Sequence, residues 1–131
     1  MPTISDRNKA RVQFFVEAVW NEGRLELIDD LVAADYMEHL SCLNVAVLGP
    51  DGVRTLVSSR RSVHPDLYIK IDDQIAEDDR VATRWRATST DRTRCYAGIS
   101  IVRLLAGKQV DSHTEYTSLA PTLVALRRSE A

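Results

Sequence analysis

The chain has 131 residues, of which 44 % are hydrophobic and 27 % are charged, and its formal net charge is −2. This size and composition predict one folded domain, residues 1–131, with a substantial core. The weak negative charge disfavours nucleic-acid binding, because a phosphate backbone requires a concentrated basic surface. The chain has neither an apolar run long enough to span a membrane nor an apolar signal segment, so we expect a cytoplasmic protein that does not bind membranes.

Residue patterns typical of cofactor and metal sites are missing from the sequence. The three histidines, His39, His64 and His113, lie far apart and do not have metal-ligand spacing. The sequence also has no glycine-rich phosphate loop and no nucleophile motif of the G-x-S-x-G type. We therefore expect a protein that needs neither a cofactor nor a metal ion.

The first half of the chain has helical periodicity. Ser5 is a possible cap of a first helix, and Gly23 in "NEG" suits the left-handed conformation that ends it. A second helix is predicted over "RLELIDDLVA", and "ADYMEHLS" after it is extended or irregular. A third helix begins at Pro50 or Asp51.

After "HPD" the hydrophobic period changes from 3.6 to 2, which is typical of strands. Four strands are predicted over "LYIKIDDQIA", "VATRWRATST", "CYAGISIVRLL" and "QVDSHTEYTS", with a turn at Gly107 in the last hairpin. Three helices followed by an antiparallel meander predict an α+β domain, in which the helices cover one face of a curved sheet.

Four stretches, in this order and spacing, resemble the SnoaL-like polyketide cyclases of the nuclear-transport-factor-2-like superfamily. They read "VWNEGRLELIDDLVAADYMEH", "GPDGVRTLV", "HPDLYIKIDDQIAEDDRVATRW" and "GISIVRLLAGKQV", and the resemblance covers most of the chain, roughly from Val12 to Tyr116. The resemblance implies a cone-shaped domain with a deep apolar pocket between helices and sheet. In such cyclases the pocket binds an aromatic polyketide ester, and an acidic side chain removes a proton next to a carbonyl before an aldol ring closure. The related ketosteroid isomerases take their base from the segment after the second helix.

The resemblance also assigns positions in this sequence. The family's histidine falls on Ser100 and its catalytic aspartate on Thr114, and neither replacement is a general base in its ordinary protonation state. The candidates for proton transfer are therefore His39, which has a suitable ordinary pKa, and Glu38, whose pKa burial would raise. His113 joins them only if it faces the pocket. The residues expected to line the pocket are Trp20, Tyr36, Trp85, Ser100, Thr114 and Tyr116.

Asp111, His113 and Glu115 alternate along the last strand and so share one face. The register implied by the resemblance turns this charged face outward and turns Val110, Ser112, Thr114 and Tyr116 toward the pocket. A single β-bulge would exchange the two faces. We expect the outward face to form a homodimer interface, with Arg84 and Arg86 available to pair with Asp111 and Glu115.

Two functions remain open from the sequence. The first is a cofactor-free cyclase or ketosteroid-type isomerase that acts on a small apolar, aromatic or polycyclic compound. The second is a non-catalytic binding or accessory protein that has kept the pocket and lost the family's acid–base pair.

Overall fold

The computed structural model describes residues 1–40, 44–89 and 95–119. The helices are α1 (Ile4–Phe14), a π-helical segment that continues it (Phe15–Asn21), a 3₁₀ turn (Leu25–Leu27), α2 (Ile28–Leu31) and α3 (Gly49–Val63). The strands are β1 (Val32–Leu40), β2 (Val45–Leu48), β3 (Tyr68–Glu77), β4 (Arg80–Thr88), β5 (Cys95–Leu105) and β6 (Lys108–Leu119). Within the described ranges, no helix is long and apolar enough to cross a lipid bilayer.

The strands form one six-stranded sheet in the order β2-β1-β6-β5-β4-β3. The α+β class predicted from the sequence is confirmed, but the sheet has six strands where the sequence predicts four, the additional two being β1 and β2. The segment after the second helix forms β1, which pairs with β6 in parallel, so the sheet is mixed rather than wholly antiparallel. A parallel pair needs a long crossover between its strands, and here α3 and four further strands, β2 to β5, supply it.

The first helix begins earlier than the sequence indicated. Thr3, not Ser5, is its cap, because the Thr3 side chain accepts a hydrogen bond from the Asp6 backbone N–H, and the Asp6 carboxylate accepts one from the Thr3 N–H. Gly23 has a φ of 71°, the left-handed conformation expected at the end of this helical region.

The helices pack on the inner face of the sheet. The side chains of Val19, Ile28 and Val57 have no exposed surface, and they belong to a core cluster that extends to β1 and β2. A smaller cluster joins Val12 on α1 to strands β4 and β5. The first cluster thus joins the helices to β1 and β2, and the second joins α1 to β4 and β5.

Two β-bulges change which side chains face the helices. In β3 the bulge lies at Asp72, so Ile75 is 70 % exposed and Gln74 turns inward to donate a hydrogen bond to the Thr83 hydroxyl. In β6 the bulge lies at Val110, so Gln109 is buried in the position expected for Val110. The expected inward orientation of Val110 is therefore wrong.

Gly98 on β5 allows close packing of two aromatic side chains. A Cβ atom at this position would lie 2.5 Å from Cζ2 of Trp85 and 2.8 Å from Cβ of Tyr116. We expect Gly98→Ala to lower the free energy of unfolding by about 1–3 kcal/mol, the usual cost of overpacking. Urea denaturation followed by circular dichroism measures this difference.

The matched control is Gly52→Ala, where the nearest atom would be the end of the Val47 side chain at 3.0 Å. A side-chain methyl group can turn aside, so the loss should be clearly smaller. An equal stability of the Gly98→Ala variant and the unmodified protein would contradict the close packing.

Candidate active site

A cavity of about 140 Å³ lies between the helices and the inner face of the sheet. Its helical wall is mostly apolar, with Arg60 and His64 at one end of α3, and its sheet wall carries several polar groups. The six residues expected from the sequence to line a pocket all lie along it: Trp20, Tyr36, Trp85, Ser100, Thr114 and Tyr116. Trp20 belongs to the π-helical segment, a rare conformation that often occurs at functional sites.

Glu38 brings a carboxylate to the lining of this cavity. It lies near the end of β1, between the buried residues Tyr36 and Leu40 on the same face of the strand. Loss of hydration by burial raises the pKa of the Glu38 carboxyl above its ordinary value of 4.5, and a hydrogen bond from Thr114 opposes this rise. The side chain therefore holds a proton more firmly than a surface glutamate does.

A chain of hydrogen bonds ends at the Glu38 carboxylate. Nε1 of Trp85 donates to Oγ of Ser100 at 3.0 Å, Oγ of Ser100 lies 2.9 Å from Oγ1 of Thr114, and Thr114 donates to Oε1 of Glu38 at 3.1 Å. The indole N–H can only donate, so it leaves the Ser100 hydroxyl free to donate to Thr114. All three donors can therefore point toward Glu38.

Tyr36 places a hydroxyl group in the same region. It is only 4 % exposed, and its side chain hydrogen-bonds with Ser112. Burial first, and then the nearby Glu38 carboxylate, raise the pKa of the Tyr36 hydroxyl well above its ordinary value of 10.0. The phenol therefore keeps its proton and can act as a hydrogen-bond donor.

Another part of the cavity lining carries a positive charge. Nη2 of Arg60 on α3 donates to the Tyr116 hydroxyl at 2.9 Å, and His64 also lines the cavity. The Tyr116 ring packs against Trp85 and Tyr96, at centroid distances of 6.2 and 6.1 Å. Aromatic rings and one guanidinium group thus form this side of the cavity.

The structure places the two histidine candidates outside the cavity. Glu38 and His39 are consecutive residues of a strand and so point to opposite faces, which makes the expected proton-transfer role of His39 in the cavity wrong. His113 is also on the outer face, stacked against His39 at a centroid distance of 4.3 Å. The condition attached to His113, that it face the pocket, is therefore not met.

The ion pairs on the outer face of the sheet also differ from those expected from the sequence. Asp111 lies beside the two histidines, and Arg86 forms a bidentate pair with Asp72 at 2.7 and 2.9 Å. The expected pairing of Arg86 with Asp111 or Glu115 is therefore wrong. The bulge that moves Asp72 out of register also explains why the alternation pattern did not reveal this pair.

Sequence reasoning missed several polar residues of the cavity, among them Arg60, His64, Thr83 and Gln109. Arg60 and His64 follow Leu56 at intervals of four residues, so the helical period was a signal that they share its face. Gln109 gave no such signal, because it turns inward only through the bulge at Val110.

Comparison with known proteins agrees with this architecture. A family model described as SnoaL-like polyketide cyclase matches residues 10–112, which is most of the chain. No curated protein sequence gives a significant match.

Several solved structures share the fold at low sequence identity. A candidate ketosteroid isomerase from Kribbella flavida aligns over 88 % of this chain and 81 % of its own, with 15 % identity and a TM-score of 0.75. IdmH, a candidate polyketide cyclase from Streptomyces antibioticus, aligns over 95 % of this chain and 99 % of its own, with 19 % identity and a TM-score of 0.70. AclR, a candidate hydroxylase from Streptomyces galilaeus, aligns over 95 % of this chain and 98 % of its own, with 24 % identity and a TM-score of 0.74.

These structural likenesses show a common fold, and the family match is made on the sequence itself. The cone of helices and curved sheet, with its apolar cavity, is the architecture that the matching stretches implied. The protein belongs to the SnoaL-like polyketide cyclase family.

Proposed function

We propose that the cavity binds a small apolar carbonyl compound and that Glu38 transfers a proton at the carbon next to the carbonyl group. The observation that carries this proposal is the half-buried Glu38 carboxyl, which lines the largely apolar cavity at the end of the hydroxyl chain. Such a step begins both an aldol-type ring closure and a ketosteroid-type isomerisation. Membership of the cyclase family supports the first of these reactions.

The environment of Glu38 suits a general base. A base works best when its pKa lies near the working pH, and burial moves the pKa of Glu38 upward from 4.5. The hydrogen bond from Thr114 stabilises the ionised form and limits this rise, so the carboxylate remains available to accept a proton. Ser100 and Thr114, which replace the family's histidine and aspartate, thereby support a different base.

Removal of the proton leaves negative charge on the carbonyl oxygen, which requires a donor. The Tyr36 hydroxyl is suited to this role, because its raised pKa keeps it protonated and it lies on the same strand face as Glu38. Arg60 also lines the cavity and offers a positive charge for a polar end of the ligand. The first step moves a proton from the carbon to the Glu38 carboxylate, and neither the return of that proton to carbon in an isomerisation nor the carbon–carbon bond formation of an aldol closure, in which the new alkoxide takes up a proton, requires an oxidant or a reductant.

The cavity fits a ring compound. Its volume of about 140 Å³ is close to the ~150 Å³ of an apolar cavity that admits benzene, and its aromatic walls favour planar ligands. A larger polycyclic ligand would extend beyond this volume toward the solvent. Small aromatic ketones are therefore suitable first probes.

A non-catalytic binding protein is the second candidate. The presence of Ser100 and Thr114 at the two positions of the family's acid–base pair favours it. In that case the cavity still binds aromatic ligands, and ligand binding raises the melting temperature. The two candidates differ in whether the bound ligand exchanges protons with solvent.

Proton exchange tests the catalytic proposal without knowledge of the natural substrate. In D₂O, we expect the protein to accelerate deuterium incorporation next to the carbonyl of a small aromatic ketone, as followed by proton NMR. Glu38→Gln should slow this exchange about 10²-fold or more, because general acid–base catalysis contributes at least that factor. The ligand-induced rise in melting temperature should remain in the variant.

Glu115→Gln is the matched control, since it makes the same chemical change on the outer face of the sheet, and it should retain the rate. An equal loss in both variants would contradict a specific role for Glu38. Ligand binding without any accelerated exchange would support the non-catalytic candidate instead.

The hydroxyl chain gives a second prediction. Thr114→Val removes the hydrogen bond that lowers the pKa of Glu38, so that pKa should rise further above 4.5. Carbon-13 NMR of the glutamate side-chain carboxyl, recorded from pH 3 to pH 9, measures the midpoint directly.

Thr117→Val is the control, because Thr117 is exposed on the opposite face of β6. It should leave the Glu38 midpoint in place. A downward shift, or no shift, in Thr114→Val would show that this hydrogen bond does not stabilise the ionised carboxylate.

A further inference from the structure

His39, Asp111 and His113 form a compact group on the outer face of the sheet, which we call the outer histidine cluster. We propose that this cluster binds one divalent cation of the zinc type. The proposal is independent of the function proposed for Glu38, because the cluster lies on the face opposite the cavity. It also differs from the expectation of no metal site, which rested on the separation of the histidines in the sequence.

The backbone brings the three side chains together. His39 on β1 pairs with His113 on β6 in the parallel part of the sheet, and Asp111 pairs with Met37 one step earlier on the same face. Both strands are inner strands of the sheet, held on each side by a neighbour. The ligand atoms are therefore carried by rigid elements, as a metal site requires.

The distances within the cluster fit coordination better than hydrogen bonding. Nε2 of His39 lies 3.4 Å from Oδ1 of Asp111, and Nε2 of His113 lies 3.5 Å from Oδ2 of the same carboxylate. Charge-assisted hydrogen bonds are shorter, at about 2.7–2.9 Å. Two ligands of a tetrahedral ion with bonds of about 2.0–2.1 Å are about 3.4 Å apart.

The cluster also has the room to close around an ion. One ligand atom from each residue already lies within 4.8 Å of the other two, and the imidazole rings are stacked with an angle of 10° between their planes. The side chains of His39 and His113 are 37 % and 56 % exposed, so rotation of the rings can direct both Nε2 atoms to one point. Water can then occupy the fourth position.

The chemistry of the donors selects the cation. Two imidazole nitrogens and one carboxylate oxygen suit zinc and similar transition metals, whereas calcium and magnesium prefer oxygen ligands alone. A bound ion would tie β1 to β6 directly behind the cavity. Glu38 precedes His39 and Thr114 follows His113, so the ion would fix the strand pair that positions their hydrogen bond.

Metal titration of the untagged full chain tests this site. After removal of metals with EDTA, isothermal titration with ZnCl₂ should show one ion bound per chain with a micromolar dissociation constant. Addition of CoCl₂ should give the visible absorption of tetrahedral cobalt. His39→Ala, Asp111→Asn and His113→Ala should each weaken zinc binding at least ~10-fold. Mutations of residues that only hydrogen-bond to metal ligands already weaken binding by about this factor, so removal of a ligand itself should cost no less.

Two controls separate coordination from general surface charge. Glu115→Gln removes a carboxylate from the same face of β6, and His64→Ala removes the histidine that is outside the cluster; both should retain the zinc affinity. Circular dichroism of each variant verifies folding. Absence of zinc binding in the micromolar range, or equal weakening in the controls and the cluster variants, would overturn the proposal.

Discussion

The proposed chemistry of the cavity depends on one balance at Glu38, between the cost of removing its carboxylate from water and the hydrogen bonds that offset that cost. Removing a carboxylate from water costs free energy, and the raised pKa of Glu38 records that cost. The donors of Trp85, Ser100 and Thr114 offset part of it, because all of them can point toward the carboxylate. This half-buried carboxyl and its chain of donors are the observations on which the proposed role of Glu38 rests.

The sheet makes this arrangement possible. Glu38 comes from β1 and Thr114 from β6, and the two meet only because these strands pair in parallel. Ser100 and Trp85 extend the chain across β5 and β4, while Gly98 leaves the space in which the indole ring packs. The same parallel pairing brings His39 and His113 together on the outer face. One register thus brings together both groups of side chains for which a function is proposed.

Periodicity in the sequence predicted the α+β class and the last hairpin, whose strand β5 has the predicted bounds, Cys95–Leu105. Periodicity could not show the bulges at Asp72 and Val110, because the residue types at a bulge do not differ from those in the rest of the strand. Nor could it separate Glu38 from His39, since adjacent residues differ only in the face they occupy. The parallel pair depends on contacts distant in sequence, and the homodimer expected through the outer face stays a prediction.

The pH dependence of proton exchange tests the role of Glu38 most directly. If Glu38 is the base, the rate of deuterium exchange of a bound aromatic ketone rises with pH to a plateau, and its midpoint equals the Glu38 midpoint seen by NMR. Thr114→Val then moves both midpoints upward together. A rate profile that keeps its midpoint in this variant, while the Glu38 carboxyl titrates at a higher pH, would contradict Glu38 as the base.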